Sequence, residues 1–190
     1  MQAQVQPLLP YVRWTETQIK ILAEKDRREA MTAVISKYRE PIFYHVVCIV
    51  KDRDEAYDLV QEVFIRACRE HRFFNQDFKI KAWLYRVATN LSYNNVRNRN
   101  RRATILERAK LPNRREADQL SHVFAGEQSQ QLMEAIGRLS DQHQQILLLR
   151  YFDELSYNDI AEVLDIALGT VMSRLSRAKS RLRELLDETG

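Results

Sequence analysis

The chain has 190 residues, which is enough for one large domain or two small ones. Its formal net charge is only +4, but the stretch from Lys79 to Arg102 holds seven lysines and arginines and no carboxylate, whereas carboxylates gather between Asp52 and Glu62. No run approaches the ~18 apolar residues of a membrane span, and the start of the chain lacks the charged leader and apolar core of a signal peptide, so we expect a cytoplasmic protein without membrane insertion of its own.

Four glycines, four prolines and helical periodicity almost throughout predict an all-α protein. Residues 15–25 could form a short leading helix. A longer helical region from about Glu29 to Val50 is expected to be interrupted or kinked at Pro41. Asp52 or Asp54 can cap the next helix. Its expected buried positions are Ala56, Leu59, Val60, Val63, Phe64 and Ala67.

Two cysteines, Cys48 and Cys68, lie twenty residues apart inside these apolar helical patterns. Neither belongs to a CxxC pair or lies near a histidine pair. Buried free thiols are therefore favoured over a disulfide or a zinc site.

An aromatic loop, HRFFNQDF from His71 to Phe78, leads into a basic helix. That helix should bury Leu84, Val87, Ala88 and Leu91. Its opposite side carries a stripe at steps of three or four residues: Arg86, Asn90, Asn94, Arg97 and Arg101. Asparagine can pair with an adenine edge, arginine can bind phosphate, and a loop aromatic can stack on an unpaired base.

The loop aromatics also have a purely structural interpretation. For Phe78 and Trp83 we favour a role in closing the core beneath the loop. For Phe74, core packing and base stacking are equally supported. From Asn98 to Gln131 the sequence is polar and aperiodic, which indicates a linker.

The carboxy-terminal part predicts a DNA-reading helix-turn-helix. A first helix begins after Ser156, a good N-cap, and Asp165, Ile166 and Ala167 form the turn. The second helix places Val171, Leu175, Ala178, Leu182 and Leu185 on one face. Small side chains and Arg177 lie on the other face, and the segment from Leu168 to Arg183 has five cations and no carboxylate. The alternative is an amphipathic helix with a solvated basic face.

The order DLVQEVF, then FxxxFxxxxWLYRVATN at residues 74–90, then a linker, then LSYNDIAEVL and GTVMSRLSRA, resembles the extracytoplasmic-function sigma factors of the sigma-70 family. The resemblance implies two small helical domains, region 2 at residues 29–102 and region 4 at 131–190, joined by a flexible linker at 103–130. Residues 1–28 form an unassigned extension. The resemblance further implies that the protein is an alternative sigma factor, which binds core RNA polymerase and directs −10 melting and transcription initiation.

The resemblance also assigns roles and partners. The partners are core RNA polymerase (β′ clamp and β flap), promoter DNA and an anti-sigma factor. The polymerase-binding positions are Asp58, Gln61, Glu62 and Phe64. The −10 DNA positions are Phe74, Asn75, Gln76, Phe78, Lys79, Arg86, Asn90, Asn94, Arg97 and Arg101. The −35 DNA positions are Thr170, Met172, Ser173, Arg174, Ser176, Arg177 and Arg181.

Five positions depart from the family pattern. Many relatives have Asp where this chain has Asn94, and relatives commonly have Gly and Ser at the turn positions that Asp165 and Ala167 occupy. Ala167 cannot cap the second helix through its side chain. Met172 and Ser176 stand where relatives often carry larger polar or aromatic groups, so the −35 sequence cannot be transferred from relatives.

Two other classes of protein are alternatives to this interpretation. A dimeric helix-turn-helix regulator that never contacts polymerase explains residues 155–185 but not DLVQEVF or the aromatic loop. A metal-dependent nucleic-acid enzyme could use Asp54, Asp58 and Glu62, which share a helical face, to hold Mg²⁺. No nucleophile pattern accompanies these carboxylates, so we expect no catalytic residue, metal or cofactor.

Overall fold

The computed structural model describes residues 14–108, 131–132 and 135–188, and within them it contains helices and no strand. The all-α prediction is confirmed for this part of the chain. The amino-terminal helices are α1 (Glu16–Lys25), α2 (Arg27–Val50), α3 (Arg53–Arg69) and α4 (Ile80–Arg108). The carboxy-terminal helices are α5 (Asp141–Leu147), α6 (Tyr157–Leu164) and α7 (Leu168–Asp187).

Side-chain caps explain where the first helices begin. Thr15 and Gln18 form a reciprocal capping box at α1, which confirms the leading helix. The Asp26 carboxylate accepts from the amides of Arg28 and Glu29 at α2, and Asp52 accepts from the Glu55 amide at α3. Each carboxylate satisfies amides that have no partner within their own helix.

The predicted interruption at Pro41 is wrong, because α2 is continuous through it. An internal proline costs a helix about 3 kcal/mol, but Tyr38, Ile42 and Phe43 on both sides of Pro41 are buried in the core. Tertiary packing against α1, α3 and α4 therefore outweighs the local penalty.

Helix α4 is longer than the sequence indicated. It continues to Arg108, so residues 103–108 of the predicted linker belong to the helix. Residues 103–108, ATILER, contain several good helix formers, which can prolong a helix without a periodic apolar face. The rest of the predicted linker, residues 109–130, lies outside the described residues, as do residues 1–13.

The helix-turn-helix is confirmed. Ser156 caps α6 by accepting from the Asp159 amide, and Asp165 adopts the left-handed conformation that ends it. Helix α7 begins at Leu168 without a side-chain cap on Ala167, as expected. Its predicted apolar face is buried, with Leu182 half-buried.

The two groups of helices pack against each other, mainly where α6 meets α4, and their apolar residues form one continuous core. A smaller cluster joins Cys48, Ile49 and Tyr93 to Leu148.

Cys48 is buried and burial raises the pKa of its thiol to about 12. Cys68 is free but exposed, so the prediction of burial is wrong for this thiol, which lies off the buried face of α3. In the described part of the chain no helix has the length and apolarity to cross a membrane.

Candidate functional site

The predicted stripe on α4 forms an exposed face of the helix. All five members are exposed: Arg86, Asn90, Asn94, Arg97 and Arg101. The opposite face is buried at Leu84 and Ala88. None of the three arginines forms an ion pair with a carboxylate of residues 14–108, 131–132 or 135–188. The stripe therefore offers guanidinium and amide groups to phosphates and base edges.

The loop before α4 is a series of tight turns around one buried ring. Phe73 is fully buried, and Phe74 meets it edge-on at 5.2 Å between ring centroids. Phe74 itself is half-buried, and the Arg27 guanidinium lies 5.1 Å from its ring centroid. Phe78 contacts Phe73 and Trp83 at 5.4 and 6.0 Å, as a core-closing residue would. Asn75 and Gln76, at the loop tip, are exposed.

A carboxylate from the carboxy-terminal helices reaches this surface. Glu162 on α6 forms an ion pair with Lys79, one of the predicted −10 residues. The two side chains border a cleft of about 250 Å³ that also includes Phe78, Trp83 and Arg86. In this arrangement Glu162 occupies a position that a DNA phosphate would need in order to bind Lys79.

The outer face of α7 is open. Five of the predicted −35 positions are exposed, whereas Thr170 and Arg174 are half-buried. The exposed positions are Met172, Ser173, Ser176, Arg177 and Arg181. Arg177 donates to the Ser173 carbonyl at 3.3 Å, and Arg181 is paired with Glu184 at 2.6 Å. Of these two arginines, only Arg177 has no carboxylate partner in the described part of the chain.

The α3 surface combines carboxylates with an apolar groove. Asp58 and Gln61 are exposed, and Glu62 is paired with Arg66 at 2.7 Å. Phe64 is only 7% exposed, so its ring belongs to the core and contributes to the groove wall rather than projecting from the helix. The groove has a volume of about 510 Å³ and is lined chiefly by apolar atoms of α2 and α3.

Sequence reasoning missed this groove. Tyr57 and Ile65 lie beside it and are 42% and 43% exposed, although both are large hydrophobic residues. The sequence does contain a sign of them, because these two large hydrophobic residues do not fall on the buried face of α3. Exposed apolar side chains next to unpaired charge are typical of a docking surface.

A buried polar cluster joins the two groups of helices, and nothing in the sequence indicated it. His45 of α2 is 2.6 Å from the Asp153 carboxylate through Nδ1 and 2.9 Å from the Thr89 hydroxyl through Nε2. The Lys81 ammonium donates to the Asp153 carbonyl at 2.5 Å. Burial and the neighbouring Asp153 raise the pKa of the Tyr85 hydroxyl well above its ordinary value. Asp153 follows a π-helical turn at Leu148–Phe152.

The three α3 carboxylates of the alternative Mg²⁺ site do not converge. Asp54, Asp58 and Glu62 lie along α3, and Glu62 is turned to Arg66. No group of three or more His, Cys, Asp or Glu side chains within the described residues has a geometry that could hold a metal ion.

Comparisons with known proteins agree on one family. Residues 34–102 match the sigma-70 region 2 family and residues 129–182 match sigma-70 region 4. The chain is 30% identical to the ECF RNA polymerase sigma factor SigW of Bacillus subtilis, over 86% of this chain and 92% of that protein. It is 32% identical to the RNA polymerase sigma-H factor of Pseudomonas aeruginosa, over 90% and 95%.

Among solved structures, the chain is similar to the sigma factor RpoE of Bartonella quintana, crystallised with the anti-sigma factor NepR. The TM-score is 0.67 at 25% identity, and the match covers 82% of this chain and 96% of that one.

Proposed function

Because the chain belongs to the extracytoplasmic-function sigma factors of the sigma-70 family and is an alternative sigma factor that directs transcription initiation, we propose that its two groups of helices divide promoter recognition between them. The α4 stripe and the loop before it bind the −10 element, and the outer face of α7 reads the −35 element. The observation that carries this proposal is the exposed Arg and Asn stripe of α4, whose arginines form no ion pair within the described residues, together with the half-buried Phe74 ring in the loop before it. A regulator that binds only duplex DNA would need the outer face of α7 but not the α4 stripe or the loop before it.

For strand opening, the proposal assigns base stacking to Phe74 and base-edge contacts to Asn75 and Asn90. An extruded base needs an aromatic face and hydrogen-bonding groups at its edge. One face of Phe74 already has the Arg27 guanidinium near it, so the base would use the other face or displace Arg27. The exposed arginines of α4 would bind the neighbouring phosphates.

For polymerase binding, we assign the β′ clamp to the α3 surface, with Asp58, Gln61 and Glu62 around the apolar groove that Phe64 helps to form. Carboxylates at the rim of an apolar groove fit a basic partner that also buries hydrophobic side chains. The carboxy-terminal helices would contact the β flap. We place this activity in the cytoplasm.

We also propose an anti-sigma partner, on the basis of the relative that was crystallised with NepR. The packing of α6 against α4 supports this idea, because Glu162 and Lys79 are paired at the proposed −10 surface. A partner that bound both groups of helices would maintain this contact and prevent DNA from reaching Lys79.

The proposed function is tested by run-off transcription with core RNA polymerase and promoters from the same genome, followed by mapping of start sites. We expect transcripts only when the chain is added to core enzyme, and co-purification of the two. DNA binding without core binding or transcription would instead indicate a duplex-binding regulator.

Phe74→Ala should leave closed-complex formation nearly normal and reduce strand opening by one or two decades, because losing an aromatic stacking partner costs ~1–3 kcal/mol per base. The measurement is permanganate reactivity of thymines near the start site, together with run-off product. A pre-melted bubble promoter should largely restore transcription. If the variant melts the duplex promoter as well as the parent does, Phe74 is only a core residue.

Arg177→Ala should weaken promoter binding by about 1–3 kcal/mol and relax the preference at one base pair, because the exposed guanidinium can reach a base edge. Arg174→Ala should weaken binding similarly on all sequences, since its half-buried position suits a phosphate contact. Titrations against a panel of −35 variants compare the two. A base-specific loss at Arg174 with a uniform loss at Arg177 would reverse these roles.

A further inference from the structure

Helix α1 lies outside the residues that match either sigma region, yet it is part of the core. The region 2 match begins at residue 34, whereas α1 spans Glu16–Lys25. Ile19 is fully buried, and Trp14 and Leu22 pack against the same core. At the amino-terminal end of α1, the Lys37 ammonium of α2 donates to the Trp14 carbonyl. The helix is therefore held in a fixed position beside the loop and α4.

The Glu16 carboxylate lies at the start of α4. Its Oε1 accepts from the Lys81 amide at 2.8 Å and from the Tyr38 hydroxyl at 3.1 Å, and its Oε2 accepts from the Ile80 amide at 3.2 Å. The residue just before α4 is Lys79, whose ammonium can only donate and so cannot cap a helix. Glu16 therefore acts as the N-terminal cap of α4, although it lies 64 positions before Ile80 in the sequence.

Lys20, one turn further along α1, holds the loop itself. It is 8% exposed, and its ammonium donates to the Gln76 carbonyl at 2.8 Å. The Gln76 side-chain amide donates to Glu24 at 3.3 Å. Two residues of α1 thus hold the loop tip, next to the exposed Asn75. Burying a lysine is costly unless its ammonium is paired, so this contact is specific rather than incidental.

We propose that Glu16 and Lys20 are positioning residues for capture of the unpaired −10 strand. Glu16 fixes the first turn of α4, and Lys20 fixes the loop, so that Asn75 and Phe74 keep a set geometry relative to the stripe. The advantage is preorganisation: a loop that is already ordered loses less conformational freedom when a base binds. This inference rests on the proposed function, because it assumes that the loop and α4 accept the base.

The test uses full-length chains assembled with core polymerase on a promoter mapped by run-off transcription. Glu16→Ala and Lys20→Met should each weaken binding of the −10 non-template single strand, and open-complex yield, by about fivefold, as expected for the loss of one cap or one buried hydrogen bond. Core binding and closed-complex formation should stay within about twofold. The matched controls, Glu29→Ala and Lys25→Met, change exposed residues of the same types and should behave like the parent.

A second-site variant separates positioning from general stability. If Glu16 acts as a cap, a serine at position 79, just before α4, should be able to take over its capping role. Glu16→Ala should therefore cost much less strand binding in a Lys79→Ser background than in the parent background, with Lys79→Ser alone as the reference. An equal loss in both backgrounds overturns the positioning role of Glu16. Normal strand binding by both single variants, or a parallel loss of core binding and of strand binding, overturns the proposal. If the parent holoenzyme gives no transcript, it is the proposed function that fails.

Discussion

Replacing both Asp58 and Glu62 with arginine should abolish binding to core RNA polymerase and leave the fold intact. Asp58 is exposed and forms no ion pair within the described residues, and Glu62 is held only by a solvent-exposed contact with Arg66. Neither side chain supports the core, so the free energy of unfolding should change little. At a complementary basic surface, reversing both charges should weaken binding at least about 100-fold, since like-charge contacts cost several kcal/mol.

The measurement is co-purification with core polymerase, followed by titration. A useful control is Glu29→Arg with Asp187→Arg, which makes the same change in net charge on exposed residues of α2 and α7. If the control binds as weakly as the double variant, the loss reflects overall charge rather than a docking face. If the double variant binds normally, the polymerase contacts another surface.

The features that could be predicted from sequence are the local ones. The turn at Asp165, Ile166 and Ala167, the caps at Ser156 and Asp52, and the stripe on α4 all follow from side-chain chemistry within a few positions. Even the errors have local causes. Pro41 predicts an interrupted or kinked α2 because its local penalty is visible in the sequence, whereas the packing that keeps α2 continuous is not.

The contacts between distant segments could not be predicted. Glu16 and Lys81 are 65 positions apart, and His45 and Asp153 are 108 apart. Glutamate, lysine, histidine and aspartate are also common on solvated helix faces. No spacing rule in the sequence therefore distinguishes the residues that make these contacts from ordinary surface residues. Their roles depend on how helices pack, which the apolar pattern of a single sequence does not specify. The same limitation explains why the apolar groove beside α3 was missed.

Asp153→Ala should lower the free energy of unfolding by about 1–3 kcal/mol, the usual cost of leaving a buried hydrogen-bonding group without its partner. The Asp153 side chain is 4% exposed and that of His45 is fully buried. The variant leaves His45 Nδ1 without an acceptor and removes a contact between the two groups of helices. Asp153→Asn should lose less, because its amide oxygen can still accept from Nδ1. Asp187→Ala, at an exposed carboxylate, is the control.

Guanidinium chloride unfolding measures this effect with two probes. Both tryptophans, Trp14 and Trp83, lie in the amino-terminal group of helices, whereas circular dichroism reports on all helices. In the parent the two probes should give one transition. In Asp153→Ala they should separate, because the carboxy-terminal helices then unfold at lower denaturant. Coincident transitions with a loss below about 1 kcal/mol would show that the buried pair contributes little.

Asp153→Ala should lower stability but should not weaken promoter binding. In the packed arrangement Glu162 is paired with Lys79, so DNA can reach the whole α4 surface only after α6 has moved away. Weakening the His45–Asp153 contact lowers the free energy of that separation, and the DNA-competent form becomes a larger fraction of the population. The less stable Asp153→Ala chain should therefore bind promoter DNA at least as tightly as the parent at temperatures where both are folded. Weaker promoter binding by a folded Asp153→Ala chain would mean that the packed arrangement does not compete with DNA.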